Sequence, residues 1–218
     1  MKKKSLVQSK LYCILDYAAL DGRNIVSAAE NVISGGADII QLRFNPAYRS
    51  GRIMELSKVL EDACRIARLA KRFNVIFIIN DRLDVALLVN ADGVHLGQDD
   101  IPYAYARKLL GREKIIGLST HSLKQAFFAE KLGSDYISVG PVFATPTKPE
   151  YKAVGLSLIR KVKNKIRIPF VAIGGINPNN LSDVLGAGAD RVAVVRAVCR
   201  AKNIQNAVRN LKGKLNKK

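Results

Sequence analysis

The stretch VIFIIND, residues 75–81, decides the fold, because a run of apolar residues gives way abruptly to Asn80 and Asp81. Short apolar runs rich in β-branched residues, without a polar face, are typical of parallel strands covered on both sides. The same pattern recurs along the whole chain. Together with VIFII (75–79), the predicted strands are LYCIL (11–15), DIIQLR (38–43), GVHL (93–96), KIIGL (114–118), YISV (136–139), FVAI (170–173) and RVAVV (191–195).

Amphipathic segments fill the gaps between these strands and predict helices. Several of these segments carry residues that mark helix ends. A pair of glycines after one segment indicates where a helix stops, and Asn-Pro before another indicates where a helix starts. The clearest predicted helices are Asn24–Ser34, Arg52–Phe73, Ser122–Leu132 and a helix that starts at Asn177-Pro178 and ends near Gly186.

Eight alternations of strand and helix within 218 residues predict an α/β protein with a single-domain (β/α)8 barrel, or TIM barrel. We expect this domain to span residues 1–218, with basic flexible tails near 1–9 and 212–218. A doubly wound open sheet is the alternative, but no G-x-G-x-x-G follows the first strand. In a barrel, the carboxyl ends of all strands meet at one rim, where the active site lies. Residues far apart in the sequence therefore become neighbours.

The chain carries a large positive charge, 36 − 18 = +18. A nucleic-acid ligand is one explanation, since a basic face binds phosphates without sequence preference. No RNA-binding aromatic motif, zinc spacing or helix-turn-helix pattern accompanies the charge, however. We therefore expect small anionic substrates and no specific nucleic acid. The sequence leaves the oligomeric state open, a homo-oligomer included.

Neither a membrane nor an oxidising compartment is predicted. No apolar run reaches the roughly 18 residues that a membrane helix needs. Cys13, Cys64 and Cys199 are odd in number and widely spaced, which is typical of buried, reduced thiols. These features predict a cytoplasmic protein.

Two predicted strands end in acidic residues that could hold a metal. Asn80 and Asp81 follow one strand, and Asp99 and Asp100 follow the next. Carboxylates from neighbouring strand ends suit Mg²⁺, which binds one or two carboxylates and substrate phosphates. The alternative is that these residues cap the following helices, because Asp and Asn are preferred at that position.

Three further segments predict an anion site at the same rim. Thr145, Thr147 and Lys148 follow one buried strand and offer hydroxyl groups and a point charge to a pyrophosphate. The glycine pair 174–175 lets backbone amides approach a ligand, and Arg196 follows the last strand. The alternatives are a surface turn rich in Pro and Thr and a tight strand–helix turn.

Polar residues inside the predicted strands point to the barrel interior. Gln41 and Arg43 alternate with Leu42, so both lie on one side of their strand. A guanidinium in the interior requires an anionic partner. His95 lies within a strand and is predicted to be a satisfied interior residue, whereas His121 at a strand end could equally face a ligand.

Taken together and in order, seven segments resemble the thiamine phosphate synthase family. The resemblance covers nearly the whole chain, and the related thiazole tautomerases typically lack the paired acidic positions and the T-x-T-K loop. The segments are QLR (41–43), FIINDRLDVAL (77–87), ADGVHLGQDD (91–100), GLSTHS (117–122), DYISVGPVFATPTK (135–148), VAIGGI (171–176) and GADRVAVV (188–195).

The resemblance implies a transferase that couples a hydroxymethylpyrimidine diphosphate to a thiazole phosphate and releases pyrophosphate. It implies that Mg²⁺ is held by Asp81 and Asp100 and that Gln41 lies near the pyrimidine. It further implies that the diphosphate contacts Arg43, Asn80, Ser119 and Lys148, of which Arg43, Ser119 and Lys148 are the catalytic group. The thiazole phosphate is expected at Thr145, Thr147, Gly175, Val195 and Arg196.

Two positions depart from the family pattern. Asn45 stands where the family has a Lys that binds pyrophosphate, and Arg196 stands where it has a Ser. One cation is lost and another gained, so the two changes could offset each other across the rim. The alternative functions are a thiazole tautomerase and a non-enzymatic barrel that binds phosphate or nucleic acid.

Overall fold

The eight predicted strands form a closed parallel barrel in chain order. The structure is a computed structural model and describes residues 2–44 and 55–217. Every strand lies within two residues of its predicted bounds, so the (β/α)8 prediction is confirmed. The strands are β1 (Leu11–Asp16), β2 (Ile39–Arg43), β3 (Ile76–Asn80), β4 (Gly93–Leu96), β5 (Ile115–Thr120), β6 (Tyr136–Val139), β7 (Phe170–Ile173) and β8 (Val192–Val194).

Helices surround the barrel and follow the strands. No helix in the described part of the chain is both long and apolar enough to cross a membrane. The helices are α1 (Lys2–Gln8), α2 (Tyr17–Leu20), α3 (Ile25–Ser34), α4 (Leu56–Arg72), α5 (Leu83–Leu88), α6 (Tyr103–Leu110), α7 (Leu123–Leu132), α8 (Gly155–Lys165), α9 (Leu181–Gly186), α10 (Arg196–Cys199) and α11 (Ile204–Asn216).

The predicted helix starts are confirmed at α3 and α7 and are wrong at α9. Asn24 and Ser122 cap α3 and α7, each accepting a hydrogen bond from the backbone three residues later. Helix α9 begins at Leu181, later than predicted, because the side chains of Asn177 and Asn180 bond to nearby backbone N–H groups and form a turn first. The predicted start of α4 at Arg52 lies outside the described residues.

The expected basic tails are instead helices where the structure describes them. Leu6 of α1 is buried and belongs to the cluster of side chains inside the barrel. Leu211 and Leu215 of α11 are buried in the outer core. Lysines dominate both ends of the sequence and conceal these apolar anchors. The flexibility expected near residues 1–9 and 212–218 stays a prediction.

Alternate side chains of each strand fill the barrel interior. Towards the amino ends of the strands the interior is aliphatic, with Ile39, Ile76 and Ile115 packed against Leu6. Towards the carboxyl ends it becomes polar and aromatic. Cys13 and Cys199 are buried free thiols as predicted, whereas Cys64 on α4 is exposed.

Candidate functional site

A cavity of about 330 Å³ opens at the carboxyl ends of the strands. The structure brings every residue predicted to bind substrate to its wall. These residues are Gln41, Arg43, Asn80, Ser119, Thr145, Thr147, Lys148, Gly175, Val195 and Arg196. These residues therefore meet at the carboxyl ends of the strands, as predicted. The chemical role of each residue stays a prediction.

A chain of hydrogen bonds crosses the floor of this cavity. Nε2 of Gln41 donates to the phenolic oxygen of Tyr12 at 2.6 Å, and that oxygen lies 3.1 Å from the hydroxyl of Tyr136. The Tyr136 hydroxyl lies 2.9 Å from Nδ1 of His95, whose Nε2 lies 3.0 Å from the hydroxyl of Ser119. The prediction that His95 is a satisfied interior residue is confirmed, and it also lines the cavity.

This network is uncharged. Burial raises the pKa of both Tyr12 and Tyr136, and burial followed by the nearby Lys148 lowers the pKa of His95 to about 3. Neutral rings and an amide therefore form the floor, which suits a flat heteroaromatic group with hydrogen-bonding edges better than a charged one. No motif in the sequence marks either tyrosine, although Tyr12 alternates with Ile14 along β1 as an interior residue would.

Gly117 leaves the space that the network needs. A Cβ atom at this position of β5 would lie 2.1 Å from Cζ of Tyr136 and 2.6 Å from Nδ1 of His95. Real Cβ atoms do not approach other atoms so closely. The two rings can therefore pack against this strand only because residue 117 has no side chain.

Arg43 has the anionic partner that its interior position requires. Its guanidinium forms a salt bridge with Asp16, which is almost fully buried at the end of β1. Oδ1 of Asp16 also accepts a hydrogen bond of 2.8 Å from the backbone of Ala19 and so caps α2. Asp16 was missed by sequence analysis because it ends the first strand without any accompanying motif.

Asp81 and Asp100 lie side by side next to Asn80 of the cavity wall, and neither is among the residues that line the cavity. Burial raises the pKa of Asp81 to about 7, with the hydrogen-bonded carboxyl of Asp100 as the next cause, whereas Lys148 and Arg43 lower it. The pair thus concentrates negative charge within reach of two cations. Asp81 also has a positive φ of 58°, which is uncommon for residues other than glycine.

The alternative role of these residues, as helix caps, is wrong for the helices that follow them. The N-cap of α5 is Arg82 and that of α6 is Pro102. Oδ2 of Asp100 accepts a hydrogen bond from the backbone of Gly97 at 2.6 Å, inside its own loop. Within residues 2–44 and 55–217, no group of three or more His, Cys, Asp or Glu side chains is placed to hold a metal ion. A metal bound by Asp81 and Asp100 would therefore complete its coordination with oxygen atoms of the substrate or of water.

The loop after β6 and the glycine pair after β7 lie side by side in the cavity wall, and the backbone N–H of Phe143 donates to the carbonyl oxygen of Gly174 at 3.0 Å. The backbone N–H of Thr147 donates to Oγ1 of Thr145 at 3.3 Å, which draws the two threonines into one turn. Gly174 and Gly175 have φ values of 100° and 66°, and a Cβ at Gly174 would lie 2.4 Å from Pro141. The close contact between the two loops thus depends on glycine at position 174.

Comparison with known proteins identifies the family. The family model described as thiamine monophosphate synthase matches residues 11–198. The chain belongs to this family. The chain is 45% identical to the thiamine-phosphate synthase of Shouchella clausii over 91% of its length and 92% of that protein. It is 44% identical to the thiamine-phosphate synthase of Chloroflexus aurantiacus over 95% of its length and 93% of that protein.

A solved structure of this thiamine monophosphate synthase family has the same fold. The structure titled thiamine phosphate pyrophosphorylase from Pyrococcus furiosus superposes with a TM-score of 0.86 at 34% identity, covering 100% of this chain and 98% of that one. Because the match runs through the whole barrel, the rim loops described above lie within the aligned region.

Of the two positions that depart from the family pattern, the structure describes one. Arg196 begins α10 directly after β8, is exposed and lines the cavity beside Val195. Asn45 lies outside the described residues. Compensation between these two positions therefore stays a prediction.

Proposed function

We propose that this chain is a thiamine phosphate synthase that couples a hydroxymethylpyrimidine diphosphate to a thiazole phosphate. The observation that supports this most strongly is the composition of the rim cavity. Its floor is neutral and aromatic and its wall carries Arg43 and Lys148, and an acidic pair lies next to Asn80 of that wall. A heteroaromatic diphosphate has matching parts, with a neutral ring next to a multiply charged leaving group.

In the proposed reaction, the ring of the pyrimidine lies on the floor with its polar edge at Gln41. Arg43, Asn80, Ser119 and Lys148 hold the diphosphate as it leaves, and the thiazole nitrogen captures the pyrimidine-methyl cation. Such a displacement does not require a general acid or base, and its rate depends on electrostatic stabilisation of the negative charge on the leaving diphosphate. The neutral state of His95 fits this proposal, since the site then contains no general acid at that position.

We propose Mg²⁺ as the cofactor, with Asp81 and Asp100 as its protein ligands. Their donor chemistry fits, because two adjacent carboxyls with one raised pKa repel each other unless a proton or a cation lies between them. When bound, Mg²⁺ neutralises charge on the leaving diphosphate. Asn80 lies beside this pair, and its Nδ2 donates to Oδ2 of Asp81 at 2.5 Å.

We further propose that the second phosphate, on the thiazole, binds in the same cavity. Thr145 and Thr147 supply hydroxyl groups, and Gly175 and Val195 supply backbone near the anion. Arg196 adds a guanidinium that a Ser at this position would not provide.

A direct assay tests the proposed function. The protein is incubated with both substrates and MgCl₂, and thiamine phosphate and pyrophosphate are measured, with EDTA in the control. Formation of both products in equal amounts supports the synthase. Isomerisation of a thiazole carboxylate phosphate without any thiamine phosphate would replace it with the tautomerase function.

The proposed partners are the two small substrates in the cytoplasm, and a second copy of the chain. Six large apolar side chains on the successive helices α5–α7 are exposed, and we propose that they form one apolar face at which two copies of the chain meet. This face is only weakly charged, since α5–α7 together carry 4 − 2 = +2, whereas α8 alone carries +4. The apolar face consists of Leu87, Leu88, Tyr105, Leu109, Phe127 and Phe128.

A further inference from the structure

Three side chains from different parts of the rim form a stack beside the cavity. The rings of His121 and Tyr151 have centroids 4.4 Å apart and an interplanar angle of 24°. Nζ of Lys148 lies over the Tyr151 ring, 5.5 Å from its centroid. His121 follows β5 directly, whereas Lys148 and Tyr151 belong to the loop between β6 and α8.

The base of the stack is anchored to the barrel. Nδ1 of His121 lies 2.5 Å from the carbonyl oxygen of Gly140, and since a carbonyl only accepts, Nδ1 donates. The backbone N–H of His121 donates to Oε1 of Gln125 at 2.7 Å. His121 is therefore fixed at both its backbone and its ring, and Tyr151 stacks on a rigid surface.

Lys148 itself has few other restraints. Its ammonium forms no ion pair within the described ranges 2–44 and 55–217. A lysine side chain loses conformational entropy when a bound anion holds it in one position, and this loss weakens the binding. The loss is smaller when another group already confines the side chain before the anion binds. The Tyr151 ring is the group that confines it, because a cation is attracted to the face of an aromatic ring.

We propose that Tyr151 and His121 are positioning residues that hold Lys148 ready for the diphosphate. The inference rests on the proposed function in one respect, namely that Lys148 contacts a diphosphate. Confining the ammonium over the ring reduces the freedom that Lys148 would lose when the anion binds. Neither Tyr151 nor His121 needs to touch the reacting atoms for this effect.

The attraction comes from the face of a neutral ring. Burial, followed by the carboxylates of Asp99, Glu150, Asp100 and Asp81, raises the pKa of the Tyr151 phenol. The hydroxyl therefore stays protonated near neutral pH and does not act as a counter-ion for Lys148. A phenylalanine at position 151 should therefore preserve the attraction to the Lys148 ammonium, whereas an aliphatic residue should remove it.

The test measures the coupling between Tyr151 and Lys148 in the full-length protein. The binding constant for inorganic pyrophosphate with MgCl₂ is measured by calorimetry for the wild type, Tyr151→Leu, Tyr151→Phe, Lys148→Met and the double variant Tyr151→Leu/Lys148→Met. We expect Tyr151→Leu to weaken binding about fivefold and Tyr151→Phe by less than about twofold. In the Lys148→Met background, Tyr151→Leu should cost nothing further.

Steady-state kinetics add a second criterion. Tyr151→Leu should raise KM for the pyrimidine diphosphate and leave KM for the thiazole phosphate unchanged, a selectivity that general damage to the fold would not produce. An equal loss in Tyr151→Leu and Tyr151→Phe, or the same loss with and without Lys148, would overturn the inference. If Tyr151 and Lys148 are coupled in pyrophosphate binding but no thiamine phosphate forms, the positioning role is supported and the proposed function is wrong. If the wild type binds no pyrophosphate, both are wrong.

Discussion

Nε2 of His95 lies 3.0 Å from the hydroxyl oxygen of Ser119, on the neighbouring strand of the barrel. This contact joins the neutral floor of the cavity to a residue that we expect to bind the diphosphate. His95 is held on its other side by Tyr136, so the position of the Ser119 hydroxyl depends on a buried network that reaches back to Gln41.

The buried His95 should make the stability of the protein depend on pH. Its pKa is lowered from 6.5 to about 3 in the folded state, so below pH 6.5 the unfolded state binds a proton that the folded state does not. The stability is therefore fully present above pH 6.5 and falls as the pH drops towards 3, by on the order of 5 kcal/mol in total. Urea unfolding at pH 7, 5.5 and 4 measures this.

His95→Gln is the matched variant for this prediction. The amide cannot be protonated in this range, so the part of the pH dependence that comes from His95 should disappear. An identical pH dependence in His95→Gln and the wild type would contradict the assignment. It would mean that other groups cause the acid sensitivity.

Gly117→Ala should destabilise the barrel by more than about 3 kcal/mol, because the new methyl group overlaps Tyr136 and His95 in a packed interior. Chemical denaturation gives the free energy of unfolding. Gly213→Ala is the control, since this glycine lies inside α11 with nothing within 4 Å of the added Cβ. That variant should be slightly more stable, by about 1 kcal/mol. Equal effects at the two positions would show that Tyr136 and His95 do not depend on Gly117.

Asp81→Asn should lower kcat/KM by at least about 100-fold, because the proposed metal loses a charged ligand. The Mg²⁺ concentration for half-maximal activity should rise at the same time. Asp99→Asn serves as the control, since Asp99 belongs to the same loop as Asp100 but is exposed. Full activity of Asp81→Asn at low Mg²⁺ would remove Asp81 from the metal site.

Arg196→Ser should raise KM for the thiazole phosphate about tenfold with little change in kcat, because an exposed guanidinium contributes binding in both the ground and transition states. Arg200→Ser is the comparison, since Arg200 is also exposed but pairs with Asp21 and is not among the residues that line the cavity. Kinetics of Arg196→Ser that match the wild type would mean that Arg196 is incidental to substrate binding and that it does not offset Asn45.

Phe128→Asp should dissociate the proposed homo-oligomer, because it places a charge in the apolar face on α5–α7. Sedimentation velocity gives the molecular mass in solution. Val7→Asp is the control, since Val7 is 55% exposed but lies on α1, outside the apolar face. A wild-type chain that sediments as a monomer at high concentration would contradict the proposal.

The sequence determined the barrel fold and which residues lie at the carboxyl ends of its strands. Strand ends such as Asn80-Asp81 carry their polar residues locally, and closure of a parallel barrel necessarily gathers strand ends at one rim. The sequence could not give the partner of Arg43, since Asp16 precedes it by 27 residues and meets it only because β1 pairs with β2. The tertiary structure alone decided that Tyr12 and Tyr136 join His95, and that Tyr151 stacks on His121. Such contacts depend on the distances between loops and strands, which no local pattern of residues encodes.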